Sequence, residues 1–292
     1  MITPDQATAA LPSKQEVKTQ ARRAARDGAP WMVGLGRLGH AVHGAVYGIV
    51  GLLSIQAALG IGGSATDPEG VLVWIVEASF GELLLGVMGV GLIGYALWRF
   101  VQSACDTEAK GRSIGGLLAR AGFAGSGLVY LGLALSALQL SVGIRGVGDH
   151  DVVQEGAATL LSAPFGQQLV LIAGLVVMAV AIGQAYCAYR VEFRENLVDR
   201  PMPPALDSWL VTLGRIGYAA RALVFLVIAA FLVLAALEAD SGEARGFGGA
   251  LSALAELPFG SFLMLLAGVG LLAYGVFQIA QARYRRMVLP LA

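Results

Sequence analysis

Six apolar runs constrain this chain more than any other feature, at about residues 38–59, 82–100, 117–140, 168–188, 216–237 and 261–280. Each approaches the ~20 residues that a helix needs to cross the hydrocarbon core of a bilayer. In lipid, only helices and closed barrels satisfy their own backbone. Barrel strands are about half as long and alternate in polarity, and these runs do neither. The chain therefore reads as an all-α, polytopic membrane protein with six transmembrane helices. Composition agrees: 14% of the 292 residues are charged, against about 25% in soluble domains. The net charge is zero, so no electrostatic pull on nucleic acid is expected.

Arginine and lysine orient the helices. Seventeen of the twenty lie in the N-terminal tail, the second-to-third and fourth-to-fifth connections and the C-terminus. The other three connections hold only Arg145 and Arg245, and Arg221 lies inside a helix. The positive-inside rule then predicts cytoplasmic termini. Asp67, Glu69, Asp149, Asp151, Asp240 and Glu243 fall on the opposite side. The first 30 residues are polar and lack the apolar core of a signal peptide. The stretch Ser13–Asp27 reads as a basic helix without a large apolar face, suited at most to weak contact with anionic lipid. Cys105 and Cys187 each follow an apolar run outside any Cys-x-x-Cys, and read as reduced structural thiols.

The runs repeat in pairs. "LGRLGHAVH" at 35, "LARAGFAGS" at 118 and "LGRIGYAAR" at 213 open the odd-numbered helices. Aligned on Arg37, Arg120 and Arg215, Gly follows two residues on (Gly39, Gly122, Gly217) and Val nine on (Val46, Val129, Val224). An aromatic follows ten on (Tyr47, Tyr130, Phe225). The even-numbered helices open at Phe80-Gly, Phe165-Gly and Phe259-Gly, with Gly89, Gly174 and Gly268 nine residues after the Phe. Short amphipathic stretches, "GVLVWIVEA", "GAATLLSA" and "GALSALAEL", precede them and read as outer interfacial helices. The domain reading is a cytoplasmic tail at 1–33, repeats at 34–110, 111–200 and 201–286, and a C-terminal tail at 287–292. Hairpins with an even number of crossings share one orientation. Parallel repeats of this kind predict a pseudo-threefold bundle around the membrane normal, with glycines allowing close approach.

The Arg-x-Gly-aromatic-Ala opening, the Pro-Phe-Gly turn and the helix ends "GLIGYALWRFVQSACD" and "GLLAYGVFQIAQARYR" resemble the DUF1206 family. That family comprises bacterial membrane proteins carrying this two-helix unit, commonly in three copies. The resemblance covers about residues 34–286 and implies a bacterial inner-membrane location, but carries no functional residue with it. The middle unit departs most, with Val180 in place of Tyr95 and Tyr274, and Gly183 in place of Trp98 and Phe277.

Candidate binding residues follow from the repeats. Arg37, Arg120 and Arg215 begin helices at the cytoplasmic surface, where their stems can lie along apolar surface and their heads among headgroups. Arg221 sits six residues inside its helix, level with His43 and Ser126. These three can form an inward polar ring that binds an anionic headgroup or a partner. Alternatively, Arg221 snorkels out towards Glu192, Glu195 or Asp207. Arg99, Gln184 and Gln278 are equivalent at the inner ends of the even helices. They read as interfacial polar caps or as a second ring, and Tyr95, Trp98, Tyr274 and Phe277 beside them as an aromatic belt.

Catalytic patterns are missing from the sequence: no Walker A, HExxH or GxSxG occurs. "GVGLIG" at 89–94 lies inside a membrane helix rather than after a strand. His40 and His43 lack matching ligands on other helices, and His150 falls in an outer loop. No catalytic residue, metal or cofactor is expected. The sequence favours a non-enzymatic accessory or scaffold subunit, with membrane lipids and other integral membrane proteins as partners. The alternative is a channel or transporter for a small solute along the pseudo-threefold axis.

Overall fold

The structure is a computed structural model that describes residues 14–108, 111, 113–144, 152–191, 193–194 and 203–285, with side chains from residue 33 onward. Nine α-helices are present among the described residues: α1 (Lys14–Leu59), α2 (Pro68–Val76), α3 (Gly81–Cys105), α4 (Ile114–Ser141), α5 (Val152–Leu161), α6 (Gly166–Arg190), α7 (Pro204–Glu238), α8 (Phe247–Glu256) and α9 (Gly260–Tyr284). Six are long and apolar enough to cross a membrane: α1 from Val33, α3, α4, α6, α7 and α9. The basic stretch from Lys14 runs into α1 without a break, while Ser13 lies outside the described residues.

The three repeats form a ring. α1 packs on α9, α3 on α4 and α6 on α7, so every neighbouring pair of repeats shares one interface. Each interface is a seam of small residues seven apart, on nearly the same helix face. Gly44 and Gly51 on α1 face Gly268 and Gly275 on α9, where an added Cβ would come within 2.9 Å of a backbone atom. The equivalent pairs are Gly127 and Ala134 on α4 with Gly89 and Ala96 on α3, and Ala222 and Ala229 on α7 with Gly174 and Ala181 on α6. In lipid, helices associate through such close van der Waals contact rather than through a hydrophobic driving force.

Contacts within the hairpins are less even. α1 packs on α3 and α7 on α9, but no packing of comparable extent joins α4 to α6 among the described residues. In the first and third repeats a glycine makes the contact: a Cβ on Gly39 would stand 2.5 Å from the Tyr95 backbone, and one on Gly217 2.6 Å from that of Tyr274. Gly122, their counterpart, faces open space. Valine tells the same story, with Val46 1% and Val224 0% exposed but Val129 69%. The ring is thus closed on two sides and slotted on the third.

At the end of the bundle that carries the Phe-Gly turns, α2, α5 and α8 cover the ring. Leu72, Ala157 and Leu251, equivalent in the repeat, are all buried there. Asp67 starts α2 by accepting a hydrogen bond from the Gly70 amide (2.6 Å), with Pro68 in the first turn. Phe80, Phe165 and Phe259 all adopt the left-handed conformation (φ 61 to 63°) and project outward, 78–86% exposed. That conformation costs a non-glycine residue roughly 1–2 kcal/mol. The next residue must be Gly because a Cβ there would lie 1.9–2.5 Å from a carbonyl oxygen of the preceding short helix.

Candidate functional site

The bundle axis is filled by a cage of rings around two cations. Tyr47 on α1 and Tyr130 on α4 occupy the shared aromatic position of their repeats, and their hydroxyls lie 3.4 Å apart. Tyr95 and Tyr274 enter from α3 and α9, both 0% exposed. His43 sits among all four: stacked on Tyr47 (4.9 Å, 17°), and 4.5, 4.7 and 5.7 Å from the rings of Tyr95, Tyr130 and Tyr274. Phe247 of α8 closes the cage towards the Phe-Gly end, 5.8 Å from Tyr47 and 6.2 Å from Phe225.

Arg221 points into this cage. Its guanidinium carbon stands 4.5 Å from the Tyr274 ring, 4.9 Å from Tyr47 and 5.2 Å from Phe225. Its Nη1 donates to the Tyr274 hydroxyl at 2.5 Å. Snorkelling onto Asp207 does not occur, since Asp207 pairs with Arg194 at 2.6 Å. Glu192 and Glu195 lie outside the described residues. The geometry has a simple origin. α7 begins at Pro204, well before the apolar run, and Arg221 lies 17 residues from either end, about 26 Å at 1.5 Å per residue. At that position the rings of Tyr47, Phe225 and Tyr274 surround the guanidinium. Cation–π contact in a dry site contributes about 2 kcal/mol, comparable with the 2.5–3.5 kcal/mol that insertion of a mid-span arginine costs.

A second layer lies nearer the arginine-rich end. Arg99 stacks over Tyr95 (4.9 Å) and Phe123 (5.6 Å). It donates to the Tyr95 hydroxyl and, at 3.1 Å, to Gln102. Gln278 donates to the Tyr274 hydroxyl and accepts from His40 Nδ1 at 3.3 Å. Below this layer, Gln102 and Arg285 both donate to one Glu108 oxygen, at 2.7 and 2.6 Å. The side chains of that ion pair are only 8% and 14% exposed. It ties the end of the first repeat to the end of the third.

The expected rings form in part. His43 and Arg221 meet through Tyr47 and Tyr274, while Ser126, on the slotted side, makes no hydrogen bond that joins it to them. Arg99 and Gln278 join the polar layer, whereas the buried Oε1 of Gln184 has no hydrogen bond. The arginines at the helix starts diverge. Arg215 is exposed and Arg37 half-buried. Arg120 caps the end of α3 by donating to the carbonyls of Ser103 (2.7 Å) and Ala104 (3.0 Å).

One expectation is overturned. Tyr95, Trp98, Tyr274 and Phe277 are not a lipid-facing belt but are 0–3% exposed, because Gly39 and Gly217 open room for the Tyr95 and Tyr274 backbones and turn that helix face inward. Arg99 and Arg221 reach the interior beside them. Gln102, Gln281, Glu108 and Arg285 were not among the expected residues. Gln102 and Gln281 are equivalent in the repeat and could have been found that way. Glu108 and Arg285 are not equivalent, and their pairing leaves no sequence trace.

Several buried polar atoms have no hydrogen bond among the described residues: both ring nitrogens of His43, His40 Nε2, and the Nε of Arg99 and of Arg221. Each such group costs roughly 1–3 kcal/mol when left unmet. The cage is chemically a set of donors and π-faces, suited to an electron-rich oxygen.

Known proteins provide a sequence frame. The family model described as "Domain of Unknown Function (DUF1206)" matches residues 38–106, 121–190 and 216–285. The "Uncharacterized protein YxxB" of Bacillus subtilis (strain 168) is 35% identical over 258 residues, covering 88% of this chain and 93% of that protein. No solved structure matches this chain.

Proposed function

The chain belongs to the DUF1206 family, and from that premise we propose that it is a non-enzymatic accessory or scaffold subunit of the bacterial inner membrane, packing against other membrane proteins and lipids with both termini in the cytoplasm. The observation that carries this reading is the open middle repeat. α4 and α6 span the membrane with little of their surface covered by the rest of the chain. Leu128 and Leu135 on α4 and Leu175 and Ile182 on α6, spaced one heptad apart, are all more than half exposed. Partner helices meet those outward faces, and lipid fills the slot between them. Short connections and the absence of a catalytic motif support the same reading. The alternative, conduction along the axis, fits less well with a centre packed by Tyr47, Tyr130 and Tyr274 and an end covered by α2, α5 and α8.

Photo-crosslinking residues at Leu135 and Ile182, compared with Leu52 on α1 and Leu266 on α9 in native membranes, test this proposal. A single protein adduct of fixed mass from the α4 and α6 positions alone is expected. Only lipid adducts, or equal protein adducts from all four positions, would reject it.

A further inference from the structure

The cage carries positive charge with too little negative charge to balance it. Beside Arg99, Arg221 and Arg285 the described residues place one carboxylate, Glu108, and it is held by Arg285 and Gln102. With the histidines neutral, the surplus is two positive charges, both on guanidiniums placed against rings, Arg221 at the middle of α7 and Arg99 towards the arginine-rich end of α3. Neither Arg99 nor Arg221 has a carboxylate partner among the described residues. His43, 1% exposed, presents two unmet ring nitrogens in the same space. Buried charge of this kind faces a ligand or a counter-ion. Guanidinium N–H groups fit the oxygens of phosphate or carboxylate better than any other biological anion.

The slot lies at the same depth. Val180 and Gly183 on α6 take the places of Tyr95/Tyr274 and Trp98/Phe277, and Ser126 on α4 takes that of His43 and Arg221. Where the closed repeats place a ring, the middle repeat leaves room between α4 and α6. A Cβ on Gly183 would meet nothing within 4 Å, Val129 is 69% exposed, and Arg99 and Arg221 remain half-buried rather than sealed. An anion arriving there from the bilayer would have a hydrocarbon chain.

We propose that Arg99, Arg221 and His43 bind the oxyanion head group of an acidic amphiphile, whose chain lies in the slot between α4 and α6. The inference rests on the lipid-filled slot of the functional reading but requires no protein partner. The purified full chain is equilibrated with vesicles of equal parts phosphatidylglycerol and phosphatidylcholine, re-extracted in mild detergent and weighed by native mass spectrometry. About one phosphatidylglycerol per chain is expected, preferred over phosphatidylcholine by tenfold or more, about 1.4 kcal/mol. Arg221→Leu lowers that retention about tenfold, and Arg221→Lys restores part of it. The double substitution Val180→Tyr with Gly183→Phe fills the slot, leaves every cage residue in place and lowers retention to the same degree. It decides the matter alone if Arg221→Leu does not fold. Equal retention of the two lipids, or phosphatidylglycerol retention unchanged by the slot-filling pair, would overturn the proposal. So would calorimetric binding of inorganic phosphate equally strong with the slot filled, which would place a free anion in the cage. Lipid retention without a photo-crosslinked partner would count against the accessory role only, and a partner without lipid retention against the cage only.

Discussion

The first and third repeats and the middle repeat are built from one pattern, yet only the middle one stands open. All three keep the glycine two residues after the arginine, the Phe-Gly turn, and the seam of small residues towards the next repeat. What the middle repeat lacks is bulk: Val180 and Gly183 replace a tyrosine and a large aromatic. Gly39 and Gly217 lie against tyrosine backbones, while Gly122 meets nothing within 4 Å. A small residue permits close approach but supplies little attraction of its own. Attraction in lipid comes from packed atoms, each contact small and the sum large. The contrast shows that the seams between repeats hold the ring, while the aromatics within a repeat decide whether its hairpin closes.

The largest test of that contrast is at the tyrosine position. Tyr274→Ala removes a buried ring and leaves Arg221 and Gln278 without their shared acceptor, so a loss of about 3–5 kcal/mol is expected. Val180→Ala at the matching position, already 39% exposed, is expected to cost no more than about 1 kcal/mol. Denaturant titration in detergent, followed by intrinsic fluorescence, compares the two, and equal losses would erase the distinction. Next come the glycines. Gly39→Ala and Gly217→Ala force a Cβ into the neighbouring backbone, and about 1–3 kcal/mol is expected to be lost. Gly122→Ala is expected to gain up to about 1 kcal/mol through helix propensity alone. Thermal unfolding of the three variants should therefore split in sign, and a loss at Gly122 would mean that α4 and α6 do touch there. The smallest effect is at the turns. Phe80→Gly, Phe165→Gly and Phe259→Gly relieve the left-handed strain, a gain of roughly 1 kcal/mol each. That gain should be equal in open and closed repeats, because the three turns are alike. A distinct value at Phe165 would place the opening at the turn rather than in mid-span.

Much of the fold was legible in the chain. Run lengths set the number of helices, and the repeated Arg and Phe-Gly landmarks set their pairing and sense. The boundaries moved outward, most in α1, which starts at Lys14, and next in α7, whose first turns from Pro204 are too polar to register as membrane-spanning. Arg221 stands at mid-helix with its guanidinium against the rings, while Asp207 is taken by Arg194. Within the site, His43 and Arg221 were legible as a level, and Arg99 with Gln278 as another. The fourfold tyrosine enclosure of His43 was not, because residues from α1, α3, α4 and α9 meet there and no periodicity within one helix reports on the others. The Glu108–Arg285 pair was hidden for the same reason, being 177 positions apart.

The sequence by itself determined that this protein crosses a bilayer six times as three like-oriented hairpins. Span length and backbone satisfaction in lipid act on one segment at a time, and each segment carries that information whole. Only the tertiary structure decided which faces turn inward, which repeat stays open and what the buried cations face. Those outcomes depend on how side chains from separate helices fill a shared space, a quantity that no single segment contains.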